Sequence, residues 1–205
     1  MRGNPTERLR RLQEMGTPVY AFDCGRREDI FGAIEQVGLI CGVPEKAKAL
    51  VDSLRGRIER VQSAVAGVSP GKRVYVGSIR SPYYTAGRGS FIDEVIELAG
   101  GDNVARSAGS RWPVLSAEQI LVSDPQAVFL GLDYEDAGKM NREKLLEPFQ
   151  KDPIWSRTSA GRQGALFVLD QDSLHRPAPR LVNMVEEMAK ALYPERFSEM
   201  ESRHP

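Results

Sequence analysis

Several residue types on which catalytic and metal sites depend are scarce in this chain of 205 residues. It has only two cysteines, Cys24 and Cys41, and two histidines, His175 and His204. A structural zinc site takes a cluster of such ligands, so we expect no metal site. The apolar neighbours of the cysteines favour free thiols in the core, and a disulfide would require the fold to bring the two together.

A charge imbalance and long apolar runs are missing as well. Lys+Arg and Asp+Glu both number 28, so the formal net charge is zero. We therefore expect no nucleic-acid partner and no attraction to an anionic membrane. No apolar run reaches the roughly 18 residues that a membrane span requires. The N-terminus, MRGNPTERLRRLQEMG, lacks the apolar segment of a secretory signal, which predicts a cytoplasmic protein if the chain is complete.

The sequence also lacks the motifs of common enzyme classes. SPGKR at 69–73 has no phosphate-loop spacing and precedes a strand, and AGRGSF at 86–91 has only two of the three glycines of a dinucleotide-binding motif. No G-x-S-x-G nucleophile elbow occurs. These absences predict a protein that is not an enzyme, with no catalytic residues and no catalytic cofactor.

What the sequence does contain, from residue 73 onward, is an alternation of apolar strands with amphipathic helices. The predicted strands are 73–78, 126–132 and 165–170, and the predicted helices are 91–101, 117–123, 141–149 and 181–192. Ser90 and Ser116 stand at the N-cap positions of the first two helices. This alternation is typical of a parallel sheet that is covered by helices on both faces.

The first part of the chain has a different pattern. A helix over 6–15, with Leu9 and Leu12 facing inward, precedes a single strand over 17–22 and a helix over 27–39. Pro44 then begins a helix of roughly 22 residues with one apolar face. Because a lone strand cannot form a sheet, we interpret 1–43 as the remnant of a second α/β lobe. The predicted units are therefore 1–43, a long helix over 44–66, and a main lobe over 67–205.

Three loops near the ends of the predicted strands carry unusual side chains. In a doubly wound sheet, ligands bind beyond the carboxyl ends of the strands. Aromatic faces combined with an arginine and an aspartate suit a large, flat, partly polar ligand. The candidate ligand-binding residues in these loops are Tyr83, Tyr84, Trp112, Asp172, His175 and Arg176.

Most of these side chains also have a purely structural interpretation. Tyr83 or Tyr84 could cover the sheet edge, and Trp112 could fill an apolar gap under its loop. Asp172 could be an ordinary turn residue, and Arg176 could cap backbone carbonyl groups. Taken singly the residues are ambiguous, but their positions on corresponding loops favour a binding site.

Three segments resemble a known family in the order in which that family has them. They are YYTAGRGSFIDEVIELAGGDNVA, WPVLSAEQILVSDPQAVFL and GALFVLDQDSLHRPAPRLVNMVEEMAKAL. Together they resemble the C-terminal lobe of substrate-binding proteins of ABC importers for cobalamin and iron chelates. The helix over 44–66 resembles the rigid helix that joins the two lobes of these proteins. The resemblance implies a three-layer αβα lobe with a mostly parallel sheet.

The resemblance also implies roles for particular residues. In cobalamin-binding members, the positions matching Tyr84, Trp112, Asp172 and Arg176 touch the ligand. The position matching Glu118, in the helix after the W-P motif, docks onto an arginine pocket of the membrane permease. The residues alone would make Glu118 a solvated surface carboxylate.

The chain departs from the family at its N-terminal side. The family's N-terminal lobe supplies most of a second sheet and a second docking glutamate, which implies that this chain is a fragment or a shortened relative. Exposed apolar surface and an unpaired strand edge invite self-association, so we predict a homodimer formed through the remnant lobe. Family members are periplasmic or membrane-anchored outside the cell, in contrast to the expectation from the N-terminus.

The prediction is thus non-enzymatic binding of a corrinoid that resembles cobalamin. Haem, a ferric siderophore or an oxyanion are alternative ligands, and a stand-alone dimer could store or sense its ligand. A metal-cluster enzyme of related architecture is disfavoured by the two distant cysteines. An interaction protein with a vestigial pocket would show no stabilisation by any ligand.

Overall fold

A parallel β-sheet is the centre of the computed structural model, which describes residues 6–22, 24–132, 142–170, 174 and 178–203. Four strands pair in the order β3-β1-β5-β6, all parallel, and β2 pairs with β4 in a separate antiparallel ladder. The strands are β1 (Lys72–Val76), β2 (Tyr83–Tyr84), β3 (Gly101–Asn103), β4 (Val114–Leu115), β5 (Ala127–Leu132) and β6 (Leu166–Asp170). The alternation of strands and helices is therefore confirmed as a parallel α/β fold.

Helices cover both faces of the four-stranded sheet. They are α1 (Thr6–Glu14), α2 (Arg27–Ile40), α3 (Pro44–Ala64), α4 (Phe91–Leu98), α5 (Ala117–Ser123), α6 (Arg142–Lys151), α7 (Ser159–Gln163), α8 (Leu181–Leu192) and α9 (Pro194–Arg203). A short 3-10 helix spans Trp155–Arg157. None of the helices in the described ranges combines the length and apolar character that crossing a bilayer requires.

Alternate residues of each strand enter two separate hydrophobic cores. Val74 and Val76 of β1 pack in one core with apolar residues of α2, α3, α4 and α8. Tyr75, between them, packs in the other core with Ile120 and Trp155. Side chains of a strand point alternately to opposite faces, so two cores on one sheet give the three-layer αβα arrangement.

The predicted helix caps are present in the structure. The Ser90 Oγ accepts a hydrogen bond from the Asp93 amide at 3.1 Å, at the start of α4. The Ser116 Oγ does the same for Gln119 at 3.2 Å, and the Gln119 side chain accepts from the Ser116 amide at 2.8 Å. Both helices therefore begin where the sequence predicts, because the cap is a local interaction.

The long helix α3 is confirmed and joins several other elements. Pro44 is its first residue, and its buried side chains lie at helical spacing: Ala47, Val51, Leu54, Ile58 and Val61. Arg57 on the same helix bonds to Glu186 of α8 at 2.6 Å and to Asn183 at 2.7 Å. With 21 residues, the helix is about 32 Å long at 1.5 Å per residue.

Three expectations for the N-terminal region are wrong. The segment 17–22 forms no strand in its described residues, since an extended segment without a partner has no ladder to join. Leu12, expected to face inward, is exposed to solvent. Cys41 is exposed at the end of α2, contrary to its predicted place in the core. Cys24 is half-buried and packs against the core that contains Val74 and Val76.

The helix α2, by contrast, is part of the main packing. Ile30 and Phe31 are buried in the same core as β1 and α4. The Arg27 amide also donates to Glu94 Oε2 of α4 at 3.0 Å. The division into units at 1–43, 44–66 and 67–205 stays a prediction, and α2 is tied to the third of these units.

Candidate functional site

A cleft of about 530 Å³ opens at the carboxyl ends of β1 and β5. Its apolar lining comes from both strands, from α4 and from α6, with Leu174 on the side that follows β6. The apolar lining residues are Val76, Ile79, Ala86, Ile92, Leu130, Leu145 and Leu174. The cleft therefore lies where parallel α/β sheets place their ligands.

Tyr84 and Trp112 both line this cleft, and both expose large ring surfaces. Tyr84 is 61% exposed and Trp112 is 47% exposed. The Trp112 ring touches the Phe91 ring edge-on, with the centroids 6.3 Å apart. Burial of an aromatic side chain is energetically favourable, so two exposed rings at one cleft suit a partner that would cover them.

A short antiparallel ladder holds these two aromatic residues on adjacent segments. Tyr84 of β2 is paired with Val114 of β4. The ladder continues past β2, where the Thr85 amide donates to Pro113 O and the Gly87 amide donates to Arg111 O, each at 3.0 Å. Residues that are 28 positions apart in sequence are thus fixed on the same rim by backbone hydrogen bonds.

Gly87 is required for the close approach of these two segments. A Cβ atom at this position would collide with the Ser110 carbonyl oxygen and crowd the Pro113 ring. A larger residue would push the Trp112 loop away from β2.

Beneath the rim, a cluster of buried aromatic rings supports the loop between β1 and β2. Trp155 is fully buried and stands edge-on to Tyr75, with their centroids 5.1 Å apart. Its indole Nε1 donates to Ile79 O at 2.7 Å. The Tyr75 hydroxyl donates to Ser78 O at 2.8 Å and also lies 3.3 Å from Tyr84 O. These bonds fix the backbone that carries the lining of the cleft.

Burial also affects the protonation state of the Tyr75 hydroxyl in this cluster. Burial, and secondarily the nearby Tyr83 phenol, holds the pKa of Tyr75 far above its ordinary value. The hydroxyl therefore stays protonated and continues to donate at every physiological pH.

Tyr83 lies on the other side of β2 from the cleft. It is half-buried, and its ring packs edge-on against Trp155 at a centroid distance of 6.1 Å. Burial, followed by the Asp152 carboxylate, raises the pKa of its phenol. Successive residues of a strand face opposite ways, so the structure separates Tyr83 from Tyr84 and Trp112.

A buried polar network fixes the segment between Tyr84 and α4. The Asn103 Nδ2 donates to Ala86 O and to Asp93 Oδ1, both at 2.9 Å. Arg106 Nε donates to the same Asp93 oxygen at 3.1 Å. Asn103 and Asp93 are buried, and their mutual bonds offset the cost of desolvating them.

The other predicted site residues are placed as follows. Glu118 is exposed in the first turn of α5, where the Ser116 hydroxyl and then its own backbone N–H lower the pKa of its carboxyl. Asp172, His175 and Arg176 lie outside the described residues. Leu174, between them, lines the cleft.

Sequence reasoning missed three polar residues of the lining, Ser78, Arg80 and Thr85, and the supporting Trp155. The position of Ser78 and Arg80 just after β1 is the signal that could have revealed them, because residues after a parallel strand reach the ligand edge. Trp155 carries no such local signal. Among the described residues, no group of three or more His, Cys, Asp or Glu side chains could hold a metal ion.

Comparison with known proteins gives a consistent result. The family described as "Periplasmic binding protein" matches residues 2–173. A vitamin B12-binding protein of Vibrio cholerae is 28% identical over 192 residues, which is 93% of this chain and 65% of that protein. The protein of the same name from Salmonella typhi is 27% identical over 190 residues, or 93% of this chain and 66% of that protein. The chain thus spans just under two thirds of the length of these relatives.

Solved structures share the fold. The crystal structure of the periplasmic vitamin B12 binding protein of Vibrio cholerae matches with a TM-score of 0.72 and 25% identity, over 94% of this chain and 71% of that one. The periplasmic heme binding protein of the same organism matches with a TM-score of 0.80 and 19% identity, over 93% of this chain and 74% of that one. A periplasmic heme-binding protein from Roseiflexus gives 0.79 and 23%, over 95% and 73%.

Proposed function

Because this chain belongs to the periplasmic binding protein family, whose members are solute-binding proteins, we propose that it binds a corrinoid of the cobalamin type reversibly and without covalent chemistry. The observation that carries the proposal is the pair of exposed rings, Tyr84 and Trp112, on the rim of an apolar cleft of about 530 Å³. A cleft of this size and character suits a flat macrocycle, which can stack on aromatic faces.

The named ligands of the relatives support the same chemical class. The relatives at 28% and 27% identity carry the name vitamin B12-binding protein. Haem is the second candidate, since it is another large flat tetrapyrrole and would use the same two rings. A small oxyanion suits the cleft less well, because most of the lining is apolar.

Asp172, His175 and Arg176 are proposed as polar contacts to the edge of the ligand. Leu174 supports this assignment, since it lies in the same short segment and lines the cleft. A carboxylate and a guanidinium can clamp amide and acidic groups that project from a macrocycle.

Glu118 is proposed as the residue that docks onto an ABC permease. Its carboxyl is exposed and ionised, and it stands in a helical turn that Ser116 and Gln119 hold rigidly. A fixed surface carboxylate pairs well with an arginine fork on a partner. Delivery of the ligand to an importer would place the protein in the periplasm, or tethered outside the cell.

We also propose that two copies associate through the region of α1 and α2. Leu39 and Ile40 at the end of α2 are 67% and 62% exposed, and Met15 and Tyr20, in the segment between α1 and α2, are exposed as well. We propose that a second copy of this chain covers this surface. Its formal net charge is zero, so two copies do not repel each other through their overall charge. Sedimentation should show a dimer, and Ile40→Glu should give a monomer. A monomeric wild-type chain, with and without cobalamin, would refute the dimer.

A thermal-shift and visible-absorbance titration tests the ligand. Cobalamin, cobinamide, haem and a ferric siderophore are added in turn to the purified chain. A ligand at 100 times its Kd stabilises a protein by about 2.7 kcal/mol, so cobalamin should raise the Tm measurably. No shift with any of the four ligands would refute the proposal and favour an interaction protein with a vestigial pocket.

Trp112→Ala tests the site itself. Loss of the stacking ring should weaken cobalamin binding about tenfold, by analogy with aromatic contacts elsewhere. Val122→Ala is the control, because Val122 is also strongly exposed but does not line the cleft. An unchanged cobalamin affinity in Trp112→Ala would show that the ligand binds elsewhere.

A further inference from the structure

Arg80 is the charged residue of the cleft lining, as far as the described residues go. Its side chain forms no ion pair or hydrogen bond with any other described residue, and it is exposed. No aspartate or glutamate lies among the described lining residues. Within that part of the chain, nothing competes for this guanidinium.

The backbone of Arg80, in contrast, is held firmly. The Arg80 amide donates to Ser78 Oγ at 3.2 Å, and the Ser78 hydroxyl donates to Arg80 O at 2.7 Å. The preceding residue, Ile79, accepts the bond from the buried Trp155 indole. This fixed backbone sets the point from which the side chain extends. Among the described residues the guanidinium has no partner, which leaves it available to a group on a ligand.

We propose that Arg80 pairs with an anionic substituent on the edge of the ligand, either a carboxylate or a phosphodiester, and so selects among flat macrocycles. This inference rests on the proposed function, and it adds a charge requirement to the ring stacking. Tyr84 and Trp112 would cover the apolar face of the macrocycle, while its acidic side groups extend towards the exposed Arg80. An arginine fork binds both carboxylates and phosphates in two-point geometry.

Two matched pairs of probes distinguish the contribution of the anionic group to binding from that of the macrocycle. Cobalamin carries a phosphodiester that cobinamide lacks, and haem carries two carboxylates that haem dimethyl ester lacks. Kd values for all four are measured by absorbance on wild type, Arg80→Gln, Arg80→Lys and the control Arg60→Gln. Arg60 is an exposed residue of α3 that does not line the cleft.

Arg80→Gln should weaken binding of the member that carries the phosphodiester or the carboxylates by about tenfold, in whichever pair binds, and leave binding of its counterpart without that group unchanged. The dependence of that Kd on salt should also become shallower, because one screened charge pair is lost. Arg80→Lys should keep part of the affinity, and Arg60→Gln should behave as wild type.

An equal loss for the two members of a pair, or no loss for either, would overturn the role of Arg80 while leaving the proposed function intact. A loss of the same size in Arg60→Gln would also overturn it, since the effect would then come from the overall charge. Failure of all four probes to bind wild type would overturn the proposed function and this inference with it.

Discussion

The two tryptophans of this chain lie in two regions that differ in burial: Trp155 in the aromatic cluster beneath the cleft, and Trp112 on the rim of the cleft. Trp155 is fully buried among Tyr75, Tyr83 and Phe149, and its indole N–H is satisfied by a backbone carbonyl. Trp112, on the rim of the cleft, is nearly half exposed, and the one ring that it touches among the described residues is that of Phe91. The support beneath the cleft is packed within the protein, whereas the rim leaves aromatic surface exposed to solvent.

The largest effect should separate these two tryptophans. Trp155→Ala should lower the free energy of unfolding by about 3–5 kcal/mol, because it leaves a cavity in the second core. Trp112→Ala should lower it by clearly less, because nearly half of the side chain is in water already. Urea denaturation of both variants measures the difference. Equal losses would mean that the rim tryptophan is a structural residue.

Gly87→Ala should disturb the rim without touching the support. Overpacking against Ser110 and Pro113 should cost about 1–3 kcal/mol in unfolding free energy and should also weaken ligand binding, since the Trp112 loop must move. Gly32→Ala is the matched control, because a Cβ atom at Gly32 in α2 meets nothing within 4 Å. That change should be neutral or slightly stabilising. If the two variants have the same unfolding free energy and ligand affinity, the close approach at Gly87 contributes to neither property.

Tyr75→Phe should weaken the support by an intermediate amount. Loss of the hydroxyl leaves the Ser78 carbonyl without its donor and should cost about 1 kcal/mol near neutral pH. The folded state holds the pKa of Tyr75 above its unfolded value, so the stability that this adds is present at neutral pH and is lost as pH rises beyond about 10.

The stability difference between wild type and Tyr75→Phe should therefore shrink in alkaline solution. Denaturant titrations at pH 8 and above pH 10 measure it. Tyr20→Phe serves as the comparison, since Tyr20 is exposed. A difference that stays constant with pH would show that Tyr75 is not the group that titrates.

Glu118→Gln should have the smallest effect on the isolated protein. The carboxyl is fully exposed, so neither the unfolding free energy nor the ligand affinity should change measurably. Capture by a reconstituted importer should nevertheless weaken, if this carboxylate docks as proposed. Retained capture would refute the docking role.

The parts of the fold that were predictable from the sequence depend on local interactions. Ser90 and Ser116 cap their helices through neighbours three positions away, and α3 begins at Pro44 because proline fits the first helical turn. The strands β1, β5 and β6 were recognisable because each is an apolar run. The two- and three-residue strands β2, β3 and β4 were missed, since so few residues show no periodicity.

The candidate site was only partly predictable, and Tyr83 and Tyr84 show why. Alternation along a strand implies that one of two neighbouring tyrosines faces the cleft and the other faces away. The choice of Tyr84 depends on the register between β2 and β4, which pairs it with Val114. Register comes from contacts with a distant segment, and the local sequence does not specify it.

By itself, the sequence determined a parallel α/β lobe with capped helices and aromatic residues in the loops at one edge, because periodicity and caps act over a few residues. Tertiary structure alone decided that Tyr84 and Trp112 share a rim, that Trp155 supports the loop beneath them, and that Arg80 lies in the same cleft. These placements join residues up to 76 positions apart, as Ile79 and Trp155 are. At such separations only the packed fold determines which groups meet.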